Sequence, residues 1–381
     1  MTHTDRDTLI DTTTELVNRP SVNPGGTEAA VVDYLLKRLD ASFAPFDVET
    51  TEVFPDRSNV VARAGDDERG SILLTGHMDV VPADESRWSG DPFSLRHEGN
   101  KLVGRGVTDM KGALAAQLVA AETYLDSADA PGEVVLAFVV DEENGGTGTE
   151  RFVETPPNVD CAVIGEPTSL NVCTAQYGCA RYHIHATGQS GHAGRPEQGR
   201  NPIYAVPRII TALRRLDEMM DEYEHGLLSP GSVTPTKLRS SIAHNVVPDD
   251  ASITIDWRFP PGVSDSPSWF DTRLTEALPD DAYSTEAERY NYYPAIETDR
   301  DADIVDVLLR AASEAGRRAE VAGFHAGSDA RYLVPVADIP TVLFGPGSIE
   351  ADAHTVDESV SVETLHTAAE TYYVALNTFL D

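Results

Sequence analysis

Apolar residues recur along the chain in two different rhythms, and together these rhythms predict an α/β fold. Helical spacings predict amphipathic helices, whereas short continuous apolar runs predict buried strands. The two kinds of segment alternate in the first part of the chain. Strands that are apolar on both faces are typical of a mostly parallel sheet flanked by helices. The helices are predicted over about 5–18, 27–39 and 109–125, and the strands near 60 and over 71–75, 133–140 and 161–165.

The pattern changes after about residue 171, where apolar and polar positions begin to alternate as they do in half-exposed strands. The predicted order is strand, helix, two strands, helix and strand, which is the order of a ferredoxin-like α+β unit. These elements are predicted over about 178–186, 202–224, 237–243, 252–259, 266–278 and 283–290.

A helix over about 302–315 and a strand over about 341–344 then resume the first pattern. We therefore predict a discontinuous α/β domain of residues 1–172 and 291–381, interrupted by an inserted domain of residues 173–290.

The charge of the chain excludes some classes of partner. Its 381 residues include 29 Lys and Arg against 63 Asp and Glu, a formal net charge of −34. Nucleic acids and anionic membranes attract positive charge, so neither is an expected partner. Only Lys37, Lys101, Lys111 and Lys237 are lysines. An acidic, lysine-poor surface resembles proteins of salt-loving archaea, so a halophilic origin is expected, with an ordinary acidic cytosolic protein as the alternative.

The cysteines and the N-terminal segment indicate a cytoplasmic protein. Cys161, Cys173 and Cys179 are odd in number and form no CxxC pair, which argues against a disulfide framework and against a thiolate zinc site. The first residues are polar, and no apolar run approaches the ~18 residues that a transmembrane helix needs. We therefore expect a soluble protein in the cytoplasm.

Imidazole and carboxylate side chains follow several of the predicted strands. In open α/β sheets, ligands bind at the carboxyl ends of the strands. Taken singly, each has an ordinary alternative: a surface histidine, a solvated Glu-Glu turn, a helix N-cap or a turn residue before proline. Taken together, imidazole and carboxylate donors without thiolate suit zinc, with cobalt or manganese as competitors. The candidate ligands are His77, Asp109, Glu142 or Glu143, Glu166 and His354.

Five segments that contain these residues resemble, in order, the signature motifs of the M20 metallopeptidases. The resemblance covers nearly the whole chain. It implies a dizinc catalytic domain interrupted by a lid or dimerisation domain. It also implies hydrolysis of the amide bond of N-acyl amino acids, as in succinyl-diaminopimelate desuccinylase or acetylornithine deacetylase. The segments are Thr75–Pro82, Gly104–Gly112, Asp141–Glu143, Gly165–Thr168 and His354–Glu358.

The resemblance also implies a role for each metal ligand. His77, Asp109 and Glu166 would hold one zinc ion, and Asp109, Glu143 and His354 would hold the other. Asp109 would therefore bridge two zinc ions in each subunit, with Co²⁺ or Mn²⁺ as alternatives.

Three further features of the centre follow from the same resemblance. Glu142 would be the general base. Asp79, two residues after His77, would fix the imidazole ring. The peptide bond between Asp109 and Met110 would be cis.

The inserted domain supplies the remaining candidates. His192 lies in a segment that resembles the one whose histidine stabilises the tetrahedral oxyanion, often from a partner subunit, so a homodimer is expected. Asn245 matches a substrate-contacting asparagine. Arg258 matches an arginine that binds a substrate carboxylate, although a local ion pair with Asp256 is an equal alternative from the sequence.

The loop that contains Gly327 and Ser328 resembles a family loop near the substrate. The expected substrate is thus a small N-acyl amino acid or a short peptide. Two other functions compete. An M20 dipeptidase or carboxypeptidase would use the same scaffold, and a non-catalytic metal-binding protein would not need Glu142. Neither the acyl group nor the amine side chain can be deduced from the sequence.

Overall fold

A computed structural model describes residues 2–127, 132–240, 243–263, 267–279 and 283–380. Within it the chain forms two compact units. The outer unit comprises Met1–Thr174 and Thr298–Asp381, and the inserted unit comprises Ala175–Glu297. The predicted boundaries lay a few residues earlier. The end of the strand predicted over 237–243 and the start of the helix predicted over 266–278 fall partly outside the described residues.

The helices of the described residues have the following bounds: α1 Arg6–Val17, α2 Ala29–Asp40, α3 Lys111–Ser127, α4 Thr147–Val153, α5 Val206–Met220, α6 Ser268–Ala277, α7 Asp303–Glu314, α8 Ala330–Leu333 and α9 Val362–Leu380. Short 3₁₀ turns lie at Glu85–Arg87, Glu142–Asn144, Pro196–Gln198 and Pro202–Ala205.

The strands of the described residues are β1 Asp47–Phe54, β2 Arg57–Ala64, β3 Asp66–His77, β4 Arg96–Glu98, β5 Lys101–Val103, β6 Gly132–Val139, β7 Cys161–Ile164, β8 Val172–Gln176, β9 Gly178–Thr187, β10 Gly191–His192, β11 Ser232–Arg239, β12 Val246–Val247, β13 Asp250–Phe259, β14 Ser284–Tyr293, β15 Ile296–Glu297, β16 Val321–Phe324, β17 Thr341–Leu343 and β18 Ser359–Ser361.

The outer unit is a mixed α/β structure built on one large sheet. Its strand order is β1-β2-β6-β3-β7-β17-β8, with β16 beside β8. The short strand β15 pairs with Ala175 and Gln176, the end of β8 that belongs to the inserted unit. The four central strands β6, β3, β7 and β17 are parallel, as predicted. The flanking pairs β1–β2, β2–β6 and β17–β8 are antiparallel, which the sequence prediction did not include. The parallel centre brings the carboxyl ends of β3, β6 and β7 to one edge of the sheet.

The central strands form where apolar residues run without interruption. Ile72, Leu73 and Leu74 of β3 are fully buried, because both faces of this strand are covered. Helix α3 is buried along most of its length and packs against α1, α9 and the sheet. Helix α9 also carries apolar residues at helical spacing, among them Leu365 and Leu376, although it was not predicted from the sequence.

The inserted unit contains a four-stranded antiparallel sheet in the order β11-β13-β9-β14. Together with α5 and α6, its strands follow one another as β-α-β-β-α-β, the order of a ferredoxin-like unit. Alternate residues of β9 and β13 are buried, and Trp257 stacks on Phe259 and Phe270 in the core. The opposite faces of these strands carry polar and charged side chains.

Among the described residues, no helix combines the length and the apolar character needed to cross a membrane.

Candidate metal centre

The ends of the parallel strands of the outer unit place most of the predicted ligands. His77 is the last residue of β3, and Glu142 and Glu143 form a 3₁₀ turn shortly after β6. Glu166 follows β7 by two residues. Asp109 precedes α3, and its peptide bond to Met110 is cis, as the sequence resemblance implied. His354 comes from the segment that leads to β18.

The carboxylate of Asp109 lies between two imidazole rings. Its Oδ1 is 3.0 Å from His77 Nε2, and its Oδ2 is 3.2 Å from His354 Nε2. Glu143 Oε1 lies 3.0 Å from the same His354 nitrogen. Ligand atoms of His77, Asp109 and Glu143 all fall within 4.8 Å of one another. The two carboxylate oxygens of Asp109 therefore face two different imidazoles, Oδ1 toward His77 and Oδ2 toward His354.

Because most of this cluster is buried, its side chains shift the pKa values of one another. Burial acts to raise the pKa of Asp109, but hydrogen bonds from His354 and His77 hold it well below its usual range. Hydrogen bonds to Asp109 and Glu143 raise the pKa of His354 to about 10. Glu166 is buried, and burial together with the charge of Asp109 raises its pKa.

The donor set fits a divalent cation. Buried carboxylates repel one another and lose hydration, and a bound cation offsets both costs. His77 Nδ1 donates to the main-chain carbonyl of Asp79 at 2.9 Å, which leaves Nε2 as the nitrogen that can coordinate a metal. Imidazole and carboxylate ligands without thiolate suit zinc, cobalt or manganese.

Asp79 holds the centre in a way that the sequence did not indicate. Its carboxylate was predicted to orient His77, yet Oδ1 is 3.6 Å from the ring, and the main-chain carbonyl makes the closer contact. The carboxylate oxygens instead accept the main-chain N–H groups of Glu142 and Glu143, both at 3.2 Å. Asn23 donates to the same carboxylate at 2.8 Å. Asp79 therefore positions both the imidazole and the Glu-Glu turn.

Glu142 faces a cation that sequence reasoning missed. Arg331 Nη2 lies 3.6 Å from Glu142 Oε1 and 3.3 Å from Asp329 Oδ1, and all three side chains are largely buried. Thr149 donates its hydroxyl to Asp329 at 2.5 Å. Burial raises the pKa of Glu142 to about 8, and the charge of Arg331 opposes this shift. The Gly-Ser-Asp-Ala-Arg motif was visible in the sequence, but its pairing with Glu142 was not.

The predicted residues Gly327 and Ser328 lie directly before this pair. Ser328 is fully buried, and its hydroxyl accepts the N–H of Ala330 at 3.2 Å at the start of α8. The contacts of Ser328 thus support the loop that carries Asp329 and Arg331.

His192 and Asn245 come together within the inserted unit. Strand β10 pairs His192 with Val246 of β12, and the N–H of Ala193 donates to the carbonyl of Asn245 at 3.0 Å. Both side chains are exposed. The N–H of Gly194 donates to His192 Nδ1 at 2.9 Å, so the neutral ring carries its proton on Nε2. The His192 ring can therefore offer an N–H donor.

Arg258 forms the local ion pair that the sequence left open. Its Nε donates to Asp256 Oδ1 at 2.6 Å, while Arg181 Nε donates to Asp256 Oδ2 at 2.9 Å. Burial acts to raise the pKa of Asp256, but Arg258 and Arg181 hold it below its ordinary value. Two guanidinium groups thus share one carboxylate on the polar face of the sheet. Arg181 was not among the predicted site residues.

Comparison with known proteins identifies relatives over most of the chain. Residues 73–378 match the model of Peptidase family M20/M25/M40. The acetylornithine deacetylase of Erwinia tasmaniensis is 34% identical over 326 residues, which cover 82% of each protein. The succinyl-diaminopimelate desuccinylase of Caulobacter sp. is 31% identical over 385 residues, which cover 96% of this chain and 94% of that protein.

Solved structures show the same fold at lower identity. A tripeptidase from Staphylococcus aureus superposes with a TM-score of 0.83 at 18% identity, over 99% of both chains. At this identity the likeness supports the fold alone.

Proposed function

The chain belongs to peptidase family M20/M25/M40, and from that premise we propose that it is a metal-dependent amidohydrolase that cleaves N-acyl amino acids. The observation that carries the proposal is the carboxylate of Asp109 between the imidazoles of His77 and His354, with Glu142 in the adjoining turn. A protein that only stored metal would not need a buried carboxylate beside the ligands and directed toward Arg331.

The relatives favour the deacylase over the peptidase. The relatives named acetylornithine deacetylase and succinyl-diaminopimelate desuccinylase cover more than four-fifths of the chain. Both names describe removal of an acyl group from an amino acid. The tripeptidase shares the fold, so a short peptide is the second candidate substrate.

We assign two metal ions to each subunit, with zinc as the expected metal and Co²⁺ or Mn²⁺ as alternatives. His77, Asp109 and Glu166 would hold one ion, and Asp109, Glu143 and His354 the other. When bound, such ions make a water nucleophilic near neutral pH and polarise the carbonyl of the amide. The divergent oxygens of Asp109 support this division.

Glu142 moves the proton in this proposal. Its carboxylate accepts a proton from the attacking water and passes it to the leaving amine nitrogen, so that water and amide yield a carboxylic acid and an amine. Burial alone would leave Glu142 largely protonated at neutral pH, and the charge of bound cations would favour the ionised form that this role requires. Arg331 and Asp329 restrict where the Glu142 carboxylate can point. Asp79 holds the turn that carries it.

The inserted unit would complete the site in a homodimer. The Nε2–H of His192 would stabilise the oxyanion from the partner copy. Asn245 and the loop of Gly327 and Ser328 are assigned to substrate binding, and Arg258 would join them only by exchanging its ion pair with Asp256 for a substrate carboxylate. Five of the eight large hydrophobic side chains that are exposed among the described residues belong to the inserted unit, and a second chain would cover them in the proposed dimer. They are Ile203, Tyr204, Leu238, Val246 and Tyr290.

A substrate panel tests the proposal. Protein stripped with a chelator and reloaded with Zn²⁺ should release acetate from N-acetylornithine or succinate from N-succinyl-diaminopimelate faster than it cleaves a tripeptide. Stripped protein should be inactive, and returning zinc should restore the rate. Faster tripeptide cleavage would favour the peptidase, and absence of hydrolysis by fully loaded, folded protein would contradict both.

A further inference from the structure

Glu358 is a buried carboxylate of the outer unit that the proposed reaction does not use. It lies four residues after His354, just before β18, and is 1% exposed. Burying an anion is costly unless several hydrogen bonds replace its water. The contacts that compensate Glu358 therefore indicate what its charge is for.

Four donors converge on the two oxygens of Glu358. Oε2 accepts from Arg105 Nη1 at 2.6 Å and from the N–H of Gly106 at 3.1 Å. Oε1 accepts from the N–H of Thr108 at 2.8 Å and from the N–H of Asp109 at 3.1 Å. Three of the four donors are thus main-chain N–H groups of the loop from 106 to 109. One of these three belongs to Asp109, whose carboxylate lies between the two imidazole rings.

The main chain around Glu358 holds the same loop from its other end. The N–H of Gly104 donates to the carbonyl of Glu358 at 3.0 Å, and β18 continues beside β5. Thr108 donates its hydroxyl to the carbonyl of Ser359 at 3.0 Å. Because N–H groups directed at one anion must point to a common centre, the carboxylate restricts the path of the loop from 106 to 109.

We propose that Glu358 is a positioning residue that fixes the Asp109 carboxylate before metal binds and couples the Asp109 loop to the segment of His354. The inference rests on the proposed function only for the identity of the metal centre. A purely structural alternative is a buried ion pair with Arg105. That alternative gives no reason for the three main-chain donors, which Arg105 does not supply.

Substitution Glu358→Gln tests the proposal with little change of shape. Each oxygen accepts from two donors, so the amide places an NH₂ group against two other donors whichever way it is turned. We expect affinity for Zn²⁺, measured by competition with a chelator, to fall about 10- to 100-fold, as for other residues that orient ligands. The visible spectrum of the Co²⁺-loaded variant should also change, and kcat should fall more than KM rises.

Two variants serve as controls for this substitution. Asp357→Asn makes the same chemical change at the neighbouring residue, whose carboxylate contacts Ser89 and Arg96 instead of the ligand loop. It should keep metal affinity and the Co²⁺ spectrum unchanged. Arg105→Met removes the ion pair but leaves the three main-chain donors. If Arg105→Met lowered metal affinity and changed the spectrum as much as Glu358→Gln in folded protein, the ion pair would explain the effect and the proposal would fail.

Hydrogen exchange on the unmodified chain gives a test that does not depend on a variant folding. The amides of Gly106, Thr108 and Asp109 should be protected in metal-free protein nearly as well as in zinc-loaded protein. Protection that arises only when zinc is added would overturn the proposal. Neither exchange nor metal affinity requires hydrolysis, so a wrong substrate assignment would leave both results intact.

Discussion

The candidate metal ligands of the outer unit and the predicted substrate residues of the inserted unit are held very differently. His77, Asp109 and Glu166 are at most 5% exposed, and His77 and Asp109 are fixed by direct hydrogen bonds to neighbouring groups. The side chain of His354 is 47% exposed, but its Nε2 lies 3.0 Å from Glu143 Oε1 and 3.2 Å from Asp109 Oδ2. His192 and Asn245 are exposed, and within the described part of the chain the His192 ring accepts one hydrogen bond, from a main-chain N–H two residues away.

The difference matches the role that we propose for each group. Ligands that gather several negative charges in one place have to be positioned in advance, because their mutual repulsion would otherwise separate them. Side chains that recognise a substrate can remain exposed until the substrate or a second chain covers them. Substitutions in the outer cluster should therefore change metal binding or chemistry, and those in the inserted unit should change turnover without changing metal content.

The largest effect is expected for Glu142→Gln. The amide cannot accept the proton of the attacking water, so kcat should fall about 10²- to 10⁴-fold while the protein keeps its metal. Metal analysis and steady-state kinetics on the same preparation check this. Glu150→Gln, the same change at an exposed site of α4, is the control. A Glu142→Gln enzyme with near-normal kcat would remove Glu142 from the mechanism.

The next effect is expected for His192→Ala. Loss of the oxyanion donor should lower kcat about 10²- to 10³-fold. Metal content should not change, and the free energy of unfolding should shift by less than about 0.5 kcal/mol because the ring is exposed.

Mixing the two variants shows whether His192 acts on the partner's site. A 1:1 mixture of Glu142→Gln and His192→Ala chains should recover up to about a quarter of the normal activity, because half of the randomly formed dimers contain one complete site. If subunits exchange and no activity returns, His192 does not act across the dimer.

A smaller effect is expected for Asp79→Asn. The main-chain carbonyl still orients His77, but the amide nitrogen opposes one of the N–H groups of the Glu142–Glu143 turn. We expect kcat to fall about 10- to 100-fold. Affinity for zinc should fall less at the proposed site that contains His77 than at the one that contains Glu143. Titration with zinc resolves the two sites. A selective loss at the His77 site would restore the role that the sequence predicted.

The smallest effect on activity is expected for Glu370→Gln. This substitution shows what happens when a buried carboxylate that does not contact the candidate metal ligands loses its charge. Glu370 of α9 accepts the N–H groups of His3 and Thr4 and the hydroxyl of Thr4. Metal content and kcat should stay unchanged. At neutral pH the free energy of unfolding should fall by about 2 kcal/mol, because hydrogen bonds to a charged group are lost.

The same substitution should have a defined dependence on pH. Burial acts to raise the pKa of Glu370, but hydrogen bonds from Thr4 and His3 hold it below its ordinary value. The carboxylate therefore contributes stability above its unfolded pKa and loses that contribution as the pH falls through its lower folded pKa. Denaturant titrations of both proteins should converge in acid. A difference that persists there would mean that the charge is not responsible.

The sequence by itself determined the order of the elements, because hydrophobic periodicity is a local property that the chain carries wherever it lies. It also predicted the ligand candidates, since side chains that follow apolar strands gather at one edge of a parallel sheet. Only the tertiary structure decided which groups hold those candidates. The donors to Glu358, the pairing of Arg331 with Glu142, the engagement of Arg258 by Asp256 and the use of the Asp79 main-chain carbonyl depend on distances across the fold or on the local direction of the chain. Periodicity and motif spacing contain neither kind of information, because a hydrogen bond is set by a few tenths of an ångström and an angle.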